Sequence, residues 1–212
     1  SLQKGSIQER IGALQGTVSD ETLQENATTF AKEWFNKALN NGLAMFQGNL
    51  RNIYIDEGDF DNARRVALTA AELGNPTMML YTGLDCHEHG KFEDAFTWFT
   101  KGASLGQSES IAELADYYYH FYDTKELRRL IPYNPVKAIG LYRRAATKHF
   151  SDAGYAALQA AFGYIFHIGH LPLDWGLIAD LTHMAATKER FMFSLPYIGY
   201  MRIHGLGVTK NI

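Results

Sequence analysis

The sequence lacks most features that mark disulfide-bonded proteins, membrane proteins and common enzyme classes. It has one cysteine, Cys86, among 212 residues, which excludes an internal disulfide framework and a zinc site built from several cysteines. The longest uncharged apolar run, 160–166, is far shorter than the roughly 20 residues that a membrane-spanning helix needs. No GxSxG, GxxxxGK[ST] or HExxH pattern occurs. We therefore expect no membrane insertion and no site of these catalytic classes.

Positive charge is not in excess either. The 20 Lys and Arg residues and 23 Asp and Glu residues give a formal net charge of −3. Because the phosphates of nucleic acids require a basic surface, we predict no nucleic-acid partner. Apolar residues make up 46% of the chain, which is typical of a folded protein with a sizeable core rather than of a disordered one.

One helix-like segment recurs along the chain. FDNARRVALTAAELG (60–74) matches FEDAFTWFTKGASLG (92–106) at an offset of 32 residues, with Phe, two Ala and Gly in the same places. AKEWFNKALNNG (31–42) precedes them at the same offset. AIGLYRRAATKH (138–149) and IADLTHMAATKE (178–189) follow at offsets of 43 and 40 residues. Periods of this length are typical of helical solenoids.

The spacing inside the repeat predicts closely packed helices. Ala95, Phe99 and Ala103 lie on one stripe of a helix, and Trp98 and Gly102 adjoin it. The small residues let a neighbouring helix approach, and the aromatic rings fill the space beside them. No segment shows the sustained alternation of a strand. We therefore predict an all-α fold of about eleven helices, stacked as antiparallel pairs.

Four further segments carry a family resemblance. LADYYYHF (114–121) and FGYIFHIG (162–169) match the first helix of a known repeat unit, KAIGLYRRAA (137–146) matches its second helix, and HGLGVTKN (204–211) matches its junction. The chain thus resembles the Sel-one-like repeat family, a relative of the tetratricopeptide repeat. The resemblance implies a right-handed α-solenoid (an α/α superhelix) that acts as a protein-binding scaffold or adaptor. It also implies no enzymatic activity and no cofactor.

The repeats suggest how the chain is organised. We predict a single helical-repeat domain over 1–212, with capping helices in 1–42, helix-pair repeats in 43–188 and the start of an incomplete final repeat in 189–212. Because that last repeat is unfinished, either the native protein continues past Ile212 or these residues form an incomplete cap.

An insertion, DTKELRRLIPYN (123–134), accounts for the offset of 43 residues. It is polar and is followed by Pro135, so we expect either an extended helix end or a loop between repeats. Insertions in solenoids often collect on the functional side. A neutral variation in length is the alternative interpretation.

The resemblance also implies a binding groove, because the first helix of each pair lines the concave face in related solenoids. We predict that this groove takes a peptide or protein segment with basic and apolar residues. The alternative is that its charges only form a solvated face. The corresponding stripe is rich in acidic residues and comprises Asn49, Ile53, Asp56, Tyr81, Asp85, Glu88, Glu113, Tyr117 and His120.

Aromatic residues are densest in DYYYHFYD (116–123). The family pattern puts Leu114, Ala115 and Tyr118 in the core. Because the aromatic residues surround the predicted helix, they cannot all be buried. Tyr117 is the one that we expect to be exposed. It either contacts a partner or packs against the fold.

Two other functions remain alternatives to the scaffold. His167 and His170 flank a helix end and form a candidate metal or enzymatic site, although zinc takes three or four protein ligands. The chain could otherwise be a structural spacer in a larger protein. His87 and His89 point apart on a helix, and Cys86 is expected to be a buried structural thiol. We predict no bound metal.

Overall fold

The computed structural model describes residues 20–43, 47–119, 124–147 and 153–188, together with five residues between 198 and 206 (198, 200, 201, 204 and 206). In these residues the secondary structure is helical throughout, with ten α-helices, one 3₁₀ turn and no strand. The all-α prediction is thereby confirmed. The chain divides into two compact units, Ser1–Leu73 and Gly74–Ile212. The predicted domain boundaries remain a prediction.

The first unit contains α1 (Asp20–Asn40), α2 (Gln47–Asp56) and α3 (Phe60–Glu72). Helix α2 packs against both of the others. It contributes buried Leu50 and Tyr54. The buried face of α3 is the small-residue stripe of the repeat, namely Ala63, Val66, Ala67, Ala70 and Ala71.

The second unit contains the remaining helices, and each long helix packs against the next one along the chain. Contacts also join α4 to α6 and α8 to α10, so helices that occupy equivalent places in successive pairs lie side by side. This is the arrangement expected for stacked helix pairs. The elements are α4 (Pro76–Glu88), α5 (Phe92–Ser104), α6 (Ser108–Tyr119), α7 (Lys125–Leu130), α8 (Pro135–Ala146), α9 (Ala153–Ile165), the 3₁₀ turn (Ile168–His170) and α10 (Trp175–Lys188).

Local signals fix where these helices begin and end. The Asn75 side chain accepts hydrogen bonds from the backbone N–H groups of Thr77 and Met78, and Asn134 accepts one from Lys137, so both asparagines cap helices whose first residue is proline. Glycines with φ between +71° and +94° follow five helices at intervals of 16 residues, at Gly42, Gly58, Gly74, Gly90 and Gly106. Two such helices with their turns make up the 32-residue repeat.

Glycines inside the helices allow the close approach. A Cβ built on Gly83 of α4 would lie 2.6 Å from Cε1 of Phe99 on α5, a ring with no exposed surface. A Cβ on Gly102 would lie 2.5 Å from Oγ of Ser110 on α6. One on Gly163 would collide with the Ile139 side chain. The predicted role of small residues is confirmed at these contacts.

A buried carboxylate joins three helices. Asp116 of α6 accepts a short hydrogen bond from the Tyr142 hydroxyl of α8, and the Tyr155 hydroxyl of α9 lies 3.5 Å from the same oxygen, Oδ1. Burial, and then the charge of Asp116, raise the pKa of Tyr142 far above its usual range and that of Tyr155 to about 12. Both hydroxyls therefore stay protonated at neutral pH and can donate to the carboxylate.

Helix boundaries follow local features of the chain. The insertion holds a separate short helix, α7, rather than an extended helix end. Helix α10 begins at Trp175, three residues before the repeat segment at Ile178, just as α5 begins at Phe92, three residues before the matching Ala95. Helix α9 ends at Ile165, and the chain then takes positive φ values at His167 and Gly169.

We expect Gly83→Ala to destabilise the fold. The added methyl group meets the buried Phe99 ring, and such overpacking costs about 1–3 kcal/mol, against a gain of about 1 kcal/mol in helix propensity. Gly140→Ala is the matched control, since Gly140 is exposed on α8 and nothing lies within 4 Å of its Cβ position. It should stabilise the fold by about 0.5–1 kcal/mol. Urea unfolding measures both changes in stability. If both substitutions stabilise the fold equally, the close contact between Gly83 and the Phe99 ring is contradicted.

Asp116→Ala should lower the free energy of unfolding by about 1–3 kcal/mol, because it removes the acceptor of the buried Tyr142 hydroxyl and one partner of the half-buried Tyr155 hydroxyl. Asp116→Asn keeps an acceptor oxygen and should cost less. A double-mutant cycle with Tyr142→Phe tests the bond directly. If the effects of Asp116→Ala and Tyr142→Phe are simply additive, the two side chains do not interact.

Candidate interaction surface

The candidate site lies on α4 and α6, which contact each other directly. His87 of α4 and Tyr117 of α6 form a hydrogen bond of 2.8 Å between Nδ1 and the hydroxyl oxygen. Their rings meet edge to face, with centroids 5.7 Å apart. The Phe92 ring also meets the imidazole edge to face, at 5.3 Å. These contacts set the spacing of the two helices at this point.

Tyr117 is fully buried, so the prediction that it is the exposed tyrosine is wrong. The reason is the intervening helix α5, whose Phe96 and Phe99 rings pack against it with centroid distances of 6.1 and 5.5 Å. Leu114 and Ala115 are buried as predicted, whereas Tyr118 is only half-buried. The Tyr118 hydroxyl accepts a hydrogen bond of 2.8 Å from Lys137 Nζ.

Burial also sets the charge state of this pair. It raises the pKa of Tyr117 well above the usual range, with a smaller contribution from the charge of Glu113. It lowers the pKa of His87 below its usual value, against the opposing effect of Glu88. With the imidazole proton on Nε2, Nδ1 accepts the tyrosine hydrogen. At neutral pH the pair is therefore an uncharged link between the two helices.

The other members of the predicted stripe on these two helices differ in exposure. Glu88 is exposed, whereas Tyr81, Asp85 and Glu113 are half-buried. Tyr81, Asp85 and Glu88 are spaced to share one face of α4. Glu113 precedes Tyr117 by four residues, about one turn of α6. Three carboxylates therefore lie on neighbouring parts of α4 and α6.

The first unit holds the rest of the predicted stripe that the structure describes. On α2, Asn49 and Asp56 are exposed and Ile53 is half-buried. His120 lies outside the described residues.

Cys86 is half-buried rather than fully buried. Burial raises the pKa of its thiol, and Asp94 and Asp85 raise it further, while Lys91 acts in the opposite direction. Because the thiolate is the reactive form, this environment does not activate the residue as a nucleophile.

The histidines do not form a multidentate site within the described parts of the chain. His89 turns back along α4, with Nδ1 2.7 Å from the Asp85 carbonyl oxygen, whereas His87 points to α6. His167 and His170 are both exposed, and His167 Nδ1 lies 3.1 Å from the Leu171 carbonyl oxygen. No group of three or more His, Cys, Asp or Glu residues there could hold a metal ion. Likewise, none of the described helices is long and apolar enough to cross a membrane.

We expect His87 to make stability depend on pH. Its pKa in the folded state lies below the ordinary value of 6.5, so the unfolded chain binds more protons as the pH falls through that value. Stability should therefore fall between about pH 7.5 and about pH 5.5, and His87→Gln should reduce this slope. The control is His183→Gln, at an exposed position on α10. Urea unfolding at both pH values measures how much stability changes with pH. An identical change in wild type and His87→Gln would show that His87 does not cause it.

Comparison with known proteins bears on the whole chain. The model of the Sel1 repeat matches residues 19–43, 67–107, 108–149 and 197–212, which is more than half of the sequence. A search of the curated proteins finds no significant match.

Solved structures include similar folds. A Sel1 repeat protein from Oxalobacter formigenes matches with a TM-score of 0.57 and 20% identity, over 74% of this chain and 64% of that one. The protein c5321, a protective antigen of uropathogenic Escherichia coli strains that displays an SLR fold, matches with a TM-score of 0.49 and 18% identity, over 86% of this chain and 46% of that one. The chain thus spans less than two thirds of the length of either protein. The repeat matches, together with the fold similarity to the first of these structures, show that this chain belongs to the Sel1 repeat family and has its α-solenoid fold.

Proposed function

We propose that this protein is an interaction scaffold that binds a basic, partly apolar segment of a protein partner along α4 and α6. Sel1 repeat solenoids are typically protein-interaction scaffolds and are generally not enzymes. The observation that carries the proposal is the group of carboxylates on these adjacent helices, Asp85, Glu88 and Glu113, around the His87–Tyr117 link.

The local field favours a cationic partner. Asp85 and Glu88 lie on one face of α4, and Glu113 lies on the adjacent helix α6. Charges of one sign on a surface attract a segment of the opposite sign and speed its association. Tyr81, half-buried beside Asp85 on the same helix face, supplies an aromatic contact for apolar side chains.

A rigid base supports the surface. Tyr117 is held by His87 on one side and by the Phe96 and Phe99 rings on the other. One residue away, Asp116 ties α6 to α8 and α9. A surface that is ordered before binding loses less conformational entropy when a partner docks. Tyr117 therefore serves the surface as a support beneath it rather than as a direct contact.

Reversing the charge at Asp85 and Glu88 tests this proposal. We expect the double variant Asp85→Lys/Glu88→Lys to bind a basic, aromatic-containing protein segment at least about tenfold more weakly, since each lost charge contact contributes on the order of 1 kcal/mol. Wild-type binding should also weaken as salt increases. Affinity capture from the native source identifies the segment, and calorimetry with the purified segment measures its dissociation constant.

The matched control is Glu33→Lys/Glu72→Lys, which changes the net charge equally at exposed positions of α1 and α3. It should bind like wild type. Equal binding by all three proteins would place the interaction elsewhere. Failure to capture any partner would favour the spacer function instead.

A further inference from the structure

The described part of the insertion, residues 124–134, is anchored in the second unit. Leu127 has no exposed surface and Ile131 is 2% exposed, so both anchor the segment in the core. The Thr124 hydroxyl caps α7 by accepting a hydrogen bond from the Leu127 N–H. At the other end, the Asn134 N–H donates to the Tyr118 carbonyl oxygen at 2.9 Å. The insertion therefore presents its remaining side chains from a fixed backbone.

Those remaining side chains are predominantly cationic. Between residues 124 and 137 there is one acidic residue, Glu126, against four basic residues, all of them exposed: Lys125, Arg128, Arg129 and Lys137. Lys137 is held in place, because its Nζ lies 4.1 Å from the centroid of the Tyr118 ring. This positive charge is local, since the chain as a whole has a net charge of −3.

Large apolar side chains are exposed among these cations. Leu130 is 45% exposed, Tyr133 56% and Val136 44%. Two of them are fixed by neighbours that belong to the same unit. The Tyr133 ring lies 6.1 Å from that of Tyr119, and the Val136 side chain packs against the backbone of Gly169 in the 3₁₀ turn. Ordered apolar groups bordered by charged groups are typical of contact surfaces between proteins.

We propose that this basic-apolar surface, formed by Lys125, Arg128, Arg129, Leu130, Tyr133, Val136 and Lys137, docks an acidic protein segment that also carries apolar side chains. Charge complementarity selects the acidic segment. The apolar side chains supply the part of the binding energy that does not depend on salt. This surface favours an acidic segment, whereas the carboxylates on α4 and α6 favour a basic one. The two proposed surfaces therefore take different ligands.

The test uses the full chain and a fluorescent random copolymer of glutamate and tyrosine as the acidic, aromatic probe, with polylysine as the probe of opposite charge. Binding is measured by fluorescence anisotropy at two salt concentrations. We expect Lys125→Glu/Arg129→Glu to weaken copolymer binding at least about tenfold and to leave polylysine binding no weaker than in wild type. Tyr133→Ser keeps every charge and should weaken copolymer binding several-fold at both salt concentrations.

The matched control, Lys37→Glu/Arg65→Glu, reverses two exposed cations on α1 and α3 and should bind the copolymer like wild type, apart from a change of less than about twofold from net charge. Circular dichroism confirms that each variant is folded. Equal copolymer binding by wild type and by both insertion variants would overturn the proposal. Binding to phosphatidylserine vesicles without binding to the copolymer would also overturn it, because the ligand would then be a lipid surface. Neither result depends on Asp85 or Glu88, so the surface on α4 and α6 is tested separately.

Discussion

The close approach of neighbouring helices is the constraint on which the rest of the second unit depends. At Gly83 and Gly102 the helix backbone meets a side chain of the next helix where a Cβ would stand. Phe99 fills the space so completely that none of its surface is exposed. This packing brings α4 and α6 near enough for His87 and Tyr117 to form a direct hydrogen bond. The surface that we propose for partner binding therefore depends on glycines that are themselves not part of it.

Much of the fold could be predicted from the sequence, because periodicity shows which side of each helix is buried. Ala95, Phe99 and Ala103 were expected on one stripe, and all three are buried. Gly74 and Gly106 close the two matching repeat segments, and both have the positive φ values that a helix end favours. The complete burial of the Tyr117 side chain could not be predicted from periodicity. A helix in a stack has neighbours on several sides, and its own sequence does not say which of two adjacent positions the rings of α5 cover.

The insertion shows a second limit to what the sequence alone predicts. A helix of six residues has fewer than two turns, so its sequence has no periodicity that distinguishes it from a loop. Its position is determined by tertiary contacts instead. Leu127 and Ile131 are buried, and the Asn134 N–H bonds to the Tyr118 carbonyl oxygen. For the candidate surface on α4 and α6, the helical spacing of Tyr81, Asp85 and Glu88 is readable from the sequence, whereas the His87–Tyr117 bond became visible only in the structure.

The residues proposed to determine binding preference differ from those that hold the fold. Among the described residues, Asp116 is the buried charged side chain of the second unit, and the hydroxyls of Tyr142 and Tyr155 face it. The charges that distinguish the two proposed surfaces lie instead on exposed or half-buried side chains. Substituting such side chains removes no core packing, so it has little effect on stability. Under the two proposals, exchanging surface charges would change the binding preference, while the glycines and buried aromatic rings keep the helices in place.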